Sequence, residues 1–119
     1  MQIDFEIAGQ CLVANVSGTY SLAGMRGVID RIAAESARSN LDRVLVDVSR
    51  VSGDAPTMER YEYAEYAAQV LRGRLTKCAA CAGQGQRLEP FTEDVARNRG
   101  LPLRVFRERA DALNWLAVD

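Results

Sequence analysis

The chain has 119 residues, a length suited to one domain, and its 15 basic and 16 acidic residues leave a formal charge of −1. Hydrophobic residues at 48% and charged residues at 26% match an ordinary globular protein, which excludes disordered and membrane-embedded classes. The near-neutral balance gives no electrostatic footing to a nucleic-acid partner, because that binding is driven by phosphate neutralisation.

Ile3, Phe5 and Ile7 alternate with polar residues, the period of a half-buried strand. Ala8-Gly9-Gln10 supplies a turn and Cys11 to Val16 a second strand, so a hairpin is expected. Gly18 and Ser21 lead into a helix whose Leu22, Met25, Ile29 and Ile32 share one face. After Asn40, the apolar run Val44-Leu45-Val46 suits a central strand covered on both sides. Residues 49–56 are rich in loop formers, and Pro56-Thr57 opens a second helix. There Met58, Tyr61, Ala64, Ala68 and Leu71 make the expected core stripe, with Glu59, Glu62, Tyr66 and Gln69 opposite.

Thr76 to Ala82 reads as a strand of small residues, and Gly83 to Gln86 as a flexible loop. Phe91, Val95 and Asn98 line a short third helix that Gly100 stops. Leu103 to Phe106 is the last strand, and Ala110, Leu113, Trp115 and Leu116 mark a closing helix that Trp115 pins. The order β-β-α-β-α-β-α-β-α predicts an α/β fold in a single domain over residues 1–119. Its sheet is small, mixed and mostly parallel, with an N-terminal β-hairpin followed by βα repeats.

The chain has no histidine. The commonest general acid/base and the commonest metal ligand are both missing, so triads, metalloprotease helices and mixed Cys/His zinc sites drop out. No catalytic residue, metal or cofactor is expected. Three cysteines, an odd number without an export signal, point to reduced thiols and a cytoplasmic protein. No apolar stretch is long enough for a membrane span.

Leu45-Val46-Asp47-Val48-Ser49-Arg50-Val51 at the end of the third strand carries a resemblance. Asn98-Arg99-Gly100-Leu101-Pro102-Leu103-Arg104-Val105-Phe106 and Ala112-Leu113-Asn114-Trp115-Leu116 extend it over nearly the whole chain. In this order the motifs resemble the SpoIIAA-like (STAS) family, and the bacterial proteins grouped with STAS and SEC14-type domains. The resemblance implies a mixed sheet flanked by helices, with no catalytic centre and no cofactor. In the family's anti-sigma-factor antagonists, an Asp-Ser-Ser-Gly motif after the third strand carries a phosphorylated serine that switches partner binding. Asp54 stands where the aspartate would, but Ala55 and Pro56 occupy the serine positions, and Ser52 and Thr57 are only nearby hydroxyls.

Other motifs carry less. Cys78-Ala-Ala-Cys81 has thioredoxin-type spacing, but on a strand positions i and i+3 face opposite ways. Gly24-Met25-Arg26-Gly27 has the form of a KH-type nucleic-acid loop, yet it falls at the start of a periodic helix. The loop from Gly83 to Pro90, with Arg87, has glycines that could cradle an anion but matches no phosphate-binding fingerprint. Asp54, Thr57 and Arg60 gather at one helix start beyond a strand's carboxyl end, the usual place for ligands in open α/β sheets. The competing reading is that Asp54 or Thr57 merely caps that helix. Tyr61, Tyr63 and Tyr66 follow on the same helix, and Tyr66 among acidic neighbours is a contact candidate.

The leading expectation is a regulatory or protein-interaction module with Ser52, Asp54, Thr57, Arg60 and Tyr66 on its partner face. The alternative is a small-ligand or lipid-binding domain of SEC14-like type. Behind both stands a thiol redox protein using Cys78 and Cys81. The N-terminal edge strand offers a route to a homodimer.

Overall fold

The computed structural model describes residues 1–86 and 90–118, so Arg87 lies outside the described residues. β1 (Gln2–Ala8) and β2 (Cys11–Thr19) form the antiparallel hairpin, turned by Gly9 at φ 61°, with Ile3 opposite Val16 and Phe5 opposite Ala14. α1 (Leu22–Ser39) starts where the Ser21 hydroxyl accepts the Gly24 N–H at 3.0 Å. It stops at Asn40, whose left-handed φ of 58° returns its N–H to the Ser36 carbonyl. Gly24 and Gly27 therefore sit inside a helix rather than in a nucleic-acid loop. A Cβ on Gly24 would come within 2.9 Å of the Met1 sulfur, so this glycine serves close packing.

β3 (Arg43–Ser52), α2 (Thr57–Leu71), β4 (Lys77–Cys81), α3 (Pro90–Asn98), β5 (Leu103–Phe106) and α4 (Arg109–Ala117) complete the chain. The five strands of the sheet lie in sequence order, and every pair after the hairpin is parallel. Right-handed crossovers that always step in one direction place their helices on one face. Accordingly α1, α2 and α3 share a side, and Leu12, Ala14, Val16, Val44 and Cys78 join Ile29, Ile32 and Leu71 in the larger core. α4 alone covers the other face, where Cys11, Val13, Leu45, Ala79 and Cys81 meet Ala112 and Leu116.

Two cations at the amino ends of the central strands hold the far end of α4. Arg43 donates to the Leu116 carbonyl at 2.6 Å, and Lys77 donates to the carbonyls of Trp115 and Val118 while lying 4.9 Å over the Trp115 ring. Trp115 in turn packs on Phe106, with ring centres 5.8 Å apart.

Four expectations change. Residues 49–52 are strand, because β2 runs on to Thr19 and keeps pairing, Ser17 to Arg50 and Thr19 to Ser52. The ladder slips by one residue between Asn15 and Ser17, the mark of a bulge in β3. Met58 is not core but 67% exposed, and Ala110 on α4 is exposed as well. Tyr66 is half-buried rather than fully on the solvent face: its ring packs against the larger core, while its hydroxyl donates to Asp30 of α1 at 2.5 Å in an exposed pair. α2 is flanked by α1 and α3, so its buried arc is wider than a single stripe and takes in the Tyr66 ring.

Candidate functional site

α2 presents Ala64, Ala67 and Ala68 toward the sheet, and β4 answers with Ala80 and then Ala82 just past its end. Small side chains on both sides leave space that larger ones would close. A cavity of about 560 Å³ opens there, between the sheet and the first two helices. Val46, Val48, Cys78, Ala80 and Val105 make its floor, while Met25, Val28 and Ile29 of α1 and Ala64, Ala67 and Leu71 of α2 make its walls. The bulge in β3 contributes directly. Val48 and Val51 are three apart and would face opposite ways on a regular strand, yet both line the cavity.

The polar lining collects at the carboxyl ends of β3 and β4. Arg60 is 11% exposed, pairs with Asp54 at 2.5 Å and donates through Nε to the Ala55 carbonyl at 3.1 Å. Gln86 reaches across from the β4–α3 connection. Its amide nitrogen donates to the carbonyls of Val48 and Val51 at 2.8 and 2.9 Å, and its oxygen accepts the Gly83 N–H. Arg107 secures the same turn by donating to the carbonyls of Gly83 and Gln86. The Tyr20 hydroxyl donates to Glu59 at 3.0 Å; burial, then that bond, pushes its pKa up, so it stays protonated. The Cys78 thiol is pushed up to about 12 by burial alone and is likewise neutral. The Thr92 hydroxyl, on another lining residue, is buried and has no hydrogen-bond partner among the described residues.

Of the five residues expected at a partner face, two meet at this cavity and three do not. Asp54 and Arg60 pair at its polar end. Ser52 donates to the Gly18 carbonyl at 3.3 Å and ties the end of β3 to β2. Thr57 is exposed and is the first residue of α2 rather than its cap: Pro56 stands at the cap and, being proline, makes no side-chain bond there. Tyr66 lies farther along α2, held by Asp30 with Arg26 5.9 Å from its ring centre. Cys78 and Cys81 fall in the two separate cores on opposite faces of β4. Sequence reasoning missed Gln86, Thr92 and the cavity itself. The available signal was the pairing of alanines on α2 with alanines on β4.

The other face of the sheet has a polar cluster at the start of α4. Arg109 donates to Asn15 and Asp47, each at 2.9 Å, and to Glu6 at 2.6 Å, and Asp47 also accepts from the Ser49 hydroxyl and N–H. Burial pushes the Asp47 carboxyl up, but the bonds from Ser49 and Arg109 outweigh it and hold the group below its usual range. This network ties the start of α4 to β1, β2 and β3. Among the described residues no cluster of side chains is suited to a metal.

Against solved structures, the chain matches an uncharacterised protein of the DUF3478 family with a SpoIIAA-like fold from Shewanella loihica PV-4. The match covers 98% of this chain and 93% of that one, at a TM-score of 0.56 and 14% identity. The fold is SpoIIAA-like. At that identity the likeness speaks for the architecture alone. No family model and no curated protein sequence matches the chain. Within the SpoIIAA-like architecture, the cavity lies under α1 and α2, with its polar end beside the loop from Gly53 to Ala55. Among the described residues no helix is long and apolar enough to cross a membrane.

Proposed function

We propose that this protein is a non-enzymatic binding module whose cavity takes a small, mainly apolar ligand. The single observation behind this reading is the 560 Å³ volume with its aliphatic floor and walls, within the 300–1,000 Å³ typical of ligand sites. Such a space is one that a ligand or solvent fills. A few fixed polar groups at one end and apolar walls elsewhere is the usual division of labour between orientation and affinity.

The regulatory reading keeps one observation of its own. Met58 stands 67% exposed on the first turn of α2, next to the Asp54–Arg60 pair. A partner seated there would touch the loop that borders the cavity, which gives occupancy a route to a surface signal.

Titration with N-phenyl-1-naphthylamine, an uncharged apolar fluorophore, tests the ligand reading. Saturable blue-shifted emission at one probe per chain is expected. Emission that rises without saturation, as for an unfolded or sticky surface, would sink it.

A further inference from the structure

The two edges of the sheet end differently. At β5 the outward N–H of Val105 is taken by Glu93 of α3 at 3.1 Å, whereas among the described residues no strand pairs with the outer side of β1. The Gly9-Gln10 turn joins Ala8 to Cys11, so in the alternation of an antiparallel ladder Glu6, Asp4 and Gln2 exchange their main-chain bonds with β2. Ile3, Phe5 and Ile7 therefore turn their N–H and C=O groups outward. The two faces of this open edge differ in chemistry. Ile3 and Phe5 are half-buried against the larger core, and Ile7 beyond them is 64% exposed. Arg31 of α1 lies 5.9 Å over the Phe5 ring on that side. On the α4 side stand Asp4 and Glu6, both exposed, with Asp47 behind them. Arg109 donates to Glu6 and Asp47, while Asp4 accepts from Asn15 at 3.3 Å. Three carboxylates around one guanidinium leave this face of the edge negative.

A second copy of the chain fits this edge poorly. A two-fold antiparallel pairing centred on Phe5 sets Asp4 against Glu6, and one centred on Asp4 or Glu6 sets that residue against itself. Like charges directly opposite destabilise a sheet. We propose that the β1 edge instead takes an extended segment of a partner protein as a sixth strand, one in which apolar residues alternate with lysine or arginine. Its apolar side chains lie opposite Ile3, Phe5 and Ile7 and lengthen the strip on the α1 side. The basic ones between them meet Asp4 and Glu6, at the non-hydrogen-bonded positions where cross-strand side chains stand closest. Main-chain bonds supply affinity, and the alternating pattern supplies specificity. None of these residues lines the cavity, so the proposal stands apart from the ligand reading.

The probe is a fluorescein-labelled peptide, Thr-Val-Lys-Val-Arg-Val-Thr, with Thr-Val-Glu-Val-Glu-Val-Thr as its acidic counterpart, each titrated into the full chain at low salt. Anisotropy should saturate at one basic peptide per chain, with the acidic peptide at least about tenfold weaker. Amide exchange followed by NMR should slow at Ile3, Phe5 and Ile7 in the complex. Asp4→Lys should weaken the basic peptide and strengthen the acidic one, each about three- to tenfold. Ile7→Pro removes an outward N–H while sparing the ladder to β2, and should abolish binding in a chain that thermal unfolding shows to be folded. If that variant does not fold, the exchange pattern and Asp4→Lys decide instead. Equal binding of the two peptides, protection confined to other amides, or no saturable binding overturns the proposal. So does sedimentation of the parent as a dimer with the same three amides protected, which would assign the edge to a second copy.

Discussion

Ala79 and Ala80 are neighbours on β4 and face opposite sides of the sheet, which makes them a matched pair for asking whether the cavity is real space. Ala80 lies on its floor, whereas Ala79 is fully buried under α4 with Cys11, Val13 and Leu45. Ala80→Ile adds three carbons that find room. At about 0.8 kcal/mol each they contribute about 2.4 kcal/mol, less about 0.5–1 kcal/mol for ordering the side chain. A net gain of about 1.5 kcal/mol raises Tm by roughly 6 °C in a domain of this size. The β-branched residue also suits a strand. Ala79→Ile pushes the same atoms into filled space and should cost about 1–3 kcal/mol. Differential scanning calorimetry on both variants reads the two signs, and the same samples give probe binding. Ala80→Ile should lose the probe while gaining stability, and Ala79→Ile should lose stability while retaining the probe. Two destabilised variants would mean that the floor is packed and the cavity reasoning is wrong.

Three more outcomes follow from the packing and the charges. Leu71, 2% exposed at the end of α2, should cost about 2–5 kcal/mol as Leu71→Ala in urea unfolding, with m unchanged. Cys78 should resist a polar thiol reagent such as iodoacetate at pH 8 until the chain unfolds, since its thiol is buried and pushed up to about 12; modification at the rate of free cysteine would contradict its burial. Asp47→Asn should cost about 1–2 kcal/mol at pH 7, allowing for the partial exposure of Arg109. The folded pKa of Asp47 lies below the usual value of 3.8, so its contribution is complete above that pH and is lost as pH falls through the folded value. The gap between parent and variant should therefore begin to narrow only as pH falls below about 4 and go on narrowing toward the folded value; a gap of constant size down the acid range would assign the effect to packing.

The element order was readable in full because each element carries a period of its own, and β5 and the alternating faces of β4 fall where the pattern put them. What could not be read were facts that arise between elements. The bulge in β3 depends on β2 extending past Val16 to offer partners, so residues 49–52 looked like loop by their composition. The half-burial of Tyr66 was hidden because a helical wheel shows two sides, whereas α2 has a neighbour on each flank. Asp54, Thr57 and Arg60 are expected together at one helix start; the structure joins Asp54 and Arg60 at 2.5 Å and leaves Thr57 exposed. Gln86 could not be foreseen, since its partners are carbonyls of a strand distant in sequence.

That the strands lie in the order of the chain bears on how the molecule assembles. Each strand after the first pairs with one already synthesised, so the sheet can lengthen at its growing edge without waiting for a distant segment. The three crossover helices cover their side as they emerge. The opposite side, with Cys11, Val13, Leu45 and Ala79, stays bare until α4 arrives last. A ribosome-stalled or truncated chain ending before Arg109 would therefore carry one sealed surface and one adhesive one, and its aggregation should be suppressed by supplying residues 107–118 in trans.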